Sequence, residues 1–204
     1  HQDLKGNAGA GVTQVAVVTN PAEKNKSALY HALLYPRTSI VDPDLILTVP
    51  PNVTAATGFD VFAHAFESFI NPGGSPYTDL MALEALAIVS KALPEAVRNG
   101  RDLEARERMA WADTLAGLCI ANSGVTLPHG IGMAIGGLYP HISHGEALAV
   151  IYPAILRYSY RAAPAKFAVA GAMSGDVRAR EALPHERRLL QHLDIALVAS
   201  DAIR

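Results

Sequence analysis

At 204 residues the chain has room for one sizeable domain, or one domain with part of another, and a composition of 50% apolar and 18% charged residues excludes a disordered chain. A formal net charge of −2 gives no electrostatic reason to expect nucleic acid or an acidic membrane surface as a partner. No apolar run reaches the roughly 18 residues needed to cross a bilayer, and the single cysteine, Cys119, excludes an internal disulfide. In its apolar setting (LAGLCIANSG) Cys119 reads as a buried thiol in a reducing, cytoplasmic environment. The chain opens on HQDLKGNAGAG without an initiator Met and closes inside a helical pattern without a C-cap glycine. Both ends are therefore expected to be those of a fragment.

In chain order, residues 15–19 (VAVVT), 39–41 and 45–49 (LILTV) are short β-branched or apolar runs closed by Asn20-Pro21, Asp42-Pro43 and Pro50-Pro51. They predict three strands, and the lysine-rich PAEKNKS after the first predicts a solvated turn. From Pro51 the pattern turns helical. Residues 54–70 predict a helix broken or tightened near Gly58, and Asn71 to Gly74 a loop. Ser75-Pro76 supplies an N-cap and an N1 proline for a helix running to about residue 97, kinked by Pro94. Asp102 caps the next helix and Gly124 ends it. Within it Leu103, Met109, Leu115 and Ile120 form a loose apolar stripe, and Trp111 is expected in the core. Further helices are predicted over residues 130–138, 146–161, 166–173 and 184–199. The fold class is mainly α, with residues 1–50 set apart from a helical domain over 51–204.

Four side chains carry the chemistry. Asp60 and His64 stand four apart, so both project from one helix face. Taken alone, that pair reads first as an i,i+4 hydrogen bond on a surface helix, and second as half of a metal site. Glu67, one turn further, reads as a buried acceptor or as an ordinary solvated glutamate. His129 and His144 each precede a glycine at a helix start, where the local dipole favours neutral imidazole. Three imidazoles and one carboxylate suit Zn²⁺ or Fe²⁺, and the lack of thiolates argues against a structural zinc cluster. His141 competes with His144 as a ligand; His144 is preferred because Gly145 and a helix follow it. His31, His185 and His192 lie in polar surroundings and read as solvated.

Three stretches in order, IVDPDLILTVPPNVTAATGFDVFAHAFESFI, ARERMAWADTLAGLCIANSG and LPHG followed by SHGEALAVIYP, resemble the iron-containing (group III) alcohol dehydrogenases. That family shares its fold with glycerol dehydrogenase and dehydroquinate synthase. The likeness runs from about Ala8 to about Tyr160. It implies that Asp60, His64, His129 and His144 hold the metal, Fe²⁺ or Zn²⁺. It also implies hydride transfer between NAD(P) and a small alcohol or aldehyde, in a cleft between a nucleotide-binding domain and a helical one. Residues 1–50 then read as a remnant of the nucleotide-binding domain. The AGAG at residues 8–11 is similar to the family's cofactor loop, which makes Gly9 and Gly11 weak cofactor-binding candidates.

The sequence departs from the family pattern in four places. No GGGS-type phosphate loop is present, so these residues are expected to bind NAD(P) weakly or not at all. Met133 replaces a histidine that many members carry four residues after the third ligand, and the loop before His144 is one residue longer. The C-terminal helices after about Ser174 match poorly and end early. The expected partners are a small alcohol or aldehyde, and either a second copy of the chain or a protein supplying a nucleotide-binding domain. A non-catalytic metal-binding subunit is the alternative function.

Overall fold

The computed structural model describes residues 10–174. Two strands come first, β1 (Val15–Asn20) and β2 (Asn25–Tyr30), paired antiparallel with Val15 opposite Tyr30 and Asn20 opposite Asn25. Six helices follow: α1 (Pro51–Ile70), α2 (Pro76–Arg98), α3 (Leu103–Ser123), α4 (Leu127–Leu138), α5 (His144–Ser159) and α6 (Pro164–Met173). The predicted helix over 184–199 lies outside the described residues, as do His185 and His192. No single helix among the described residues is long and apolar enough to cross a membrane.

The N-terminal strands need correction. Only the first of the three forms. PAEK is the turn, but the polar segment NKSALY returns immediately as β2, with Lys24 at φ 48 closing the loop. Its apolar content is too low to announce a strand; pairing to β1 and packing on α4 make it one. At Gly137 an added Cβ would lie 2.7 Å from the Lys24 carbonyl oxygen, so the hairpin rests directly on the α4 backbone. The stretch 39–41 has no regular structure. Instead of a strand over 45–49, Pro43–Ile46 is a 3-10 turn. The Asp42 side chain accepts from the Asp44 N–H and Pro43 fixes the first position, which outweighs the β-branched composition.

The helices follow their caps. Ser75 and Thr78 form a reciprocal capping box at α2, Asp102 accepts from Ala105 N–H at α3, and Gly124 takes a positive φ of 75° after it. Pro94 sits inside α2. The predicted break at Gly58 does not occur: α1 is continuous, and the glycine is there because an added Cβ would meet the Leu93 side chain of α2 at 2.2 Å. Buried α2 residues recur at Ala82, Leu86, Val89, Leu93 and Ala96, and buried α3 residues at Ala105, Met109, Ala112, Ala116 and Cys119. The α3 core stripe is thus carried largely by alanine rather than by Leu103 and Ile120. Trp111 falls on its opposite face and is 53% exposed, contrary to the core expectation. Cys119 is buried, and desolvation with the nearby Asp79 charge pushes its thiol up to about 12. Phe59, Phe62, Phe66 and Tyr152 join α1 to α5 through tilted, stacked and edge contacts.

A buried guanidinium ties the start of the helical region together. Arg106 donates to Gly100 O (2.9 Å), Thr54 Oγ1 (2.8 Å) and Val49 O (3.0 Å), joining α3 to the first turn of α1. Arg106→Ala leaves those acceptors without their donors and is expected to cost about 3 kcal/mol in denaturant unfolding. Arg106→Lys should recover little, because one ammonium cannot span the fork.

Candidate metal centre

Asp60, His64 and Glu67 lie on one face of α1, all buried. His129 stands in the first turn of α4, and His144 is the first residue of α5. A reciprocal Ser143–Glu146 capping box fixes the α5 start. Gly145 lets that start approach α1 more closely than any side chain would allow, since a Cβ there would lie 1.9 Å from the Ala56 carbonyl oxygen. Ala56 precedes Asp60 by one helical turn, so this contact sets the separation of His144 from Asp60.

The donor atoms converge. Asp60 Oδ1 lies 3.6 Å from His64 Nε2, 3.3 Å from His129 Nε2 and 3.8 Å from His144 Nε2. One donor atom each from Asp60, His64 and His129 fall within 4.8 Å of one another. Tetrahedral ligands at bond lengths near 2.1 Å would stand about 3.4 Å apart, so the spacing suits one small divalent cation. Buried Asp60 Oδ1 and His129 Nε2 have no hydrogen-bond partner, as expected of atoms held for a cation.

The electrostatics of the metal-free polypeptide fit the same picture. Burial opposes ionisation of Asp60, but the imidazoles, led by His64, hold its carboxyl below the usual range. Burial lowers His64 to about 4 and also lowers His144, so both offer neutral rings. His129 departs from the expectation of a neutral helix-start imidazole. Burial opposes its charge, yet it sits between Asp60 and Glu67, and their attraction raises it to about 10. The carboxylates outweigh the α4 dipole.

Glu67 is the part least visible in the sequence. It is fully buried rather than solvated, and its Oε1 lies 2.7 Å from His129 Nδ1, a partner 62 positions away. The i+7 spacing from Asp60 placed it on the right face; nothing local named its partner. His141 is exposed, and its ring packs edge-on to Tyr139 rather than joining the donors. His31 is exposed and caps a 3-10 turn through Leu33 N–H. Met133, one turn after His129 on α4, brings a thioether that cannot relay a proton. Gly9 lies outside the described residues; Gly11 sits in a 3-10 turn where an added Cβ would meet Ser39 Oγ at 2.8 Å. Lys26 of β2 covers Gly136 of α4, and burial lowers its pKa against the attraction of Asp60.

Comparison with known proteins decides the family. Residues 54–198 match the model of the Fe-containing alcohol dehydrogenase family, C-terminal. The chain belongs to this family. The match runs past the sequence-based limit of about Tyr160, to residue 198. The NAD-dependent methanol dehydrogenase of Bacillus methanolicus is 36% identical over 168 residues, 82% of this chain and 44% of that protein. A solved 1,3-propanediol oxidoreductase matches with TM-score 0.80 and 36% identity, over 98% of this chain and 49% of that one. Sulfoacetaldehyde reductase from Bifidobacterium kashiwanohense, solved with NAD⁺, matches with TM-score 0.79 and 30% identity, over 95% and 50%. The chain spans about half the length of these relatives.

Proposed function

We propose that this chain is the metal-binding, substrate-activating part of an NAD(P)-linked alcohol dehydrogenase acting on small alcohols or aldehydes. The observation that carries the reading is Asp60 Oδ1 standing 3.3 to 3.8 Å from three imidazole Nε2 atoms. Asp60, His64, His129 and His144 hold the ion: Fe²⁺ by the family's description, or Zn²⁺ by the donor chemistry. An ion bound there polarises the substrate oxygen and lowers the alcohol's pKa, as Lewis-acid catalysis requires.

The residues supply the rest. Asp60 contributes one negative charge against the ion, and the neutral His64 and His144 rings leave net positive charge to act on the substrate. Asp60 and His64 of α1 and His129 of α4 are buried, while the His144 side chain retains 21% exposure. Substrate and nicotinamide therefore approach from the His144 side. With Met133 in place of a histidine, the described residues of α4 offer no imidazole relay beyond His129. Residues 1–50 belong to the nucleotide-binding side of the enzyme and 51–204 to the metal side, a division supported by the start of α1 at Pro51.

A reading in which nucleotide binding falls to a separate chain has one observation in its favour. Leu29, Tyr30, Leu33, Ile40 and Leu45 are each more than half exposed, an apolar run that invites a cover. On either reading the 204-residue chain is expected to bind NADH weakly or not at all.

Cobalt(II) provides the test. Titrating 1,3-propanediol into the cobalt-loaded chain is expected to perturb the visible absorption band, whereas an ether of similar size should not. A band indifferent to every alcohol, with cobalt still bound, would overturn the proposal. Micromolar NADH binding by the chain would overturn its dependence on further protein for the nucleotide.

A further inference from the structure

Three imidazoles face Asp60, but among the described residues only one has an orienting partner. Nδ1 of His64 and Nδ1 of His144 are buried without a hydrogen bond, whereas His129 Nδ1 lies 2.7 Å from Glu67 Oε1. Glu67 is itself held on both oxygens. Thr126 donates to Oε2 through its backbone N–H (2.6 Å) and its hydroxyl (3.1 Å), and the Tyr152 hydroxyl donates to Oε1 (3.2 Å). The loop carrying Thr126 is bound to α1 by two further contacts, Ser68 Oγ to Gly124 O (3.0 Å) and Asn71 Nδ2 to Val125 O (3.1 Å). The Thr126 backbone N–H can only donate, so Glu67 Oε2 is an acceptor there and Oε1 is the oxygen turned to His129.

We infer that Glu67 is the positioning residue of the metal centre: it takes the His129 Nδ1–H as a hydrogen bond, and so makes Nε2 the nitrogen that gives up its proton to the ion. The inference rests on the proposed metal site. An imidazole that donates from Nδ1 has its lone pair on Nε2, and a carboxylate acceptor makes that nitrogen a stronger donor to a cation. The same carboxylate locks Thr126, the N-cap residue of α4, so one side chain fixes both the tautomer of His129 and the helix that carries it.

Glutamine at 67 cannot satisfy both sides. If its oxygen accepts from His129 and Tyr152, its NH₂ faces the Thr126 N–H and hydroxyl, donor against donor. If it turns over, its NH₂ meets His129 Nδ1 and selects the tautomer whose Nε2–H excludes the metal. Glu67→Gln is therefore expected to weaken Zn²⁺ binding about 10- to 100-fold, the range for loss of an outer partner of a metal-bound histidine. Thr126→Ala removes one of four donors to Glu67 and should change Zn²⁺ affinity less than about 3-fold, a small part of that range.

The experiment is a competition titration of Zn²⁺ into metal-free wild type, Glu67→Gln and Thr126→Ala, with the Tm of each metal-free protein measured in parallel. Nitrogen-15 NMR of the zinc-bound wild type reports which His129 nitrogen is coordinated, and does not depend on the variants folding. Loss of affinity in Glu67→Gln with the folded state retained, together with coordination through Nε2, supports the inference. Tight zinc binding by wild type with equal affinity in Glu67→Gln, or coordination through His129 Nδ1, overturns it and leaves the metal site intact. No stoichiometric zinc binding by wild type overturns both.

Discussion

Gly145→Ala is expected to lower the Tm of the metal-free chain by about 6 to 12 °C, corresponding to about 3 kcal/mol, and to weaken Zn²⁺ binding as well. Two effects compete at this helical position. Alanine is favoured over glycine in a helix by about 1 kcal/mol. Against that, the new Cβ would stand 1.9 Å from Ala56 O and 2.5 Å from the same carbonyl carbon. Those are backbone atoms in the middle of a buried helix, so they cannot rotate aside as a side chain would. The start of α5 must move away from α1, carrying His144 away from Asp60, so stability and metal affinity fall together. Gly130, the glycine after the other candidate ligand, makes the contrast: nothing lies within 4 Å of its Cβ position.

Asp60→Ala separates the two properties. Loss of the only carboxylate in the donor set is expected to weaken Zn²⁺ binding by more than the roughly 100-fold that marks the upper range for an outer partner. The chain should remain folded, since no backbone contact depends on the carboxylate as one does on Gly145. A pH signature accompanies the change. The Asp60 carboxyl is held below its ordinary value of 3.8, so its pairing stabilises the wild-type fold above about pH 4 and is lost on further acidification. The acid limb of the wild-type stability curve should therefore be steeper than that of Asp60→Ala, measured by thermal melts of the two metal-free proteins from pH 6 downward.

Much of the helical frame was legible because its signals are local. Ser75-Pro76, Asp102 and Gly124 mark helix ends by chemistry that acts within three or four residues, and the structure places them at those ends. The spacing of Asp60 and His64 fixed their common face in the same way. The failures come from longer-range competition. Strand β2 is polar and exists through its pairing and its seat on α4, and LILTV yields to the turn set by Asp42 and Pro43. Gly58 looks like a helix breaker, and only the position of Leu93 in α2 shows it to be a packing requirement. Trp111 was drawn toward the core by residue type, whereas the alanine stripe of α3 decides which face is inside. In the site, the order of the motifs singled out Asp60, His64, His129 and His144 as candidates, but the pairing of Glu67 with His129 depends on how α1 meets the α3–α4 loop.

The central claim is that Asp60, His64, His129 and His144 act together as one cation site. The most direct measurement is a calorimetric titration of Zn²⁺ into the metal-free chain, run beside Asp60→Ala and His129→Ala. One ion per wild-type chain, with binding lost or greatly weakened in both variants, is the expected result. No saturable binding to wild type, or equal binding by all three proteins, would contradict it.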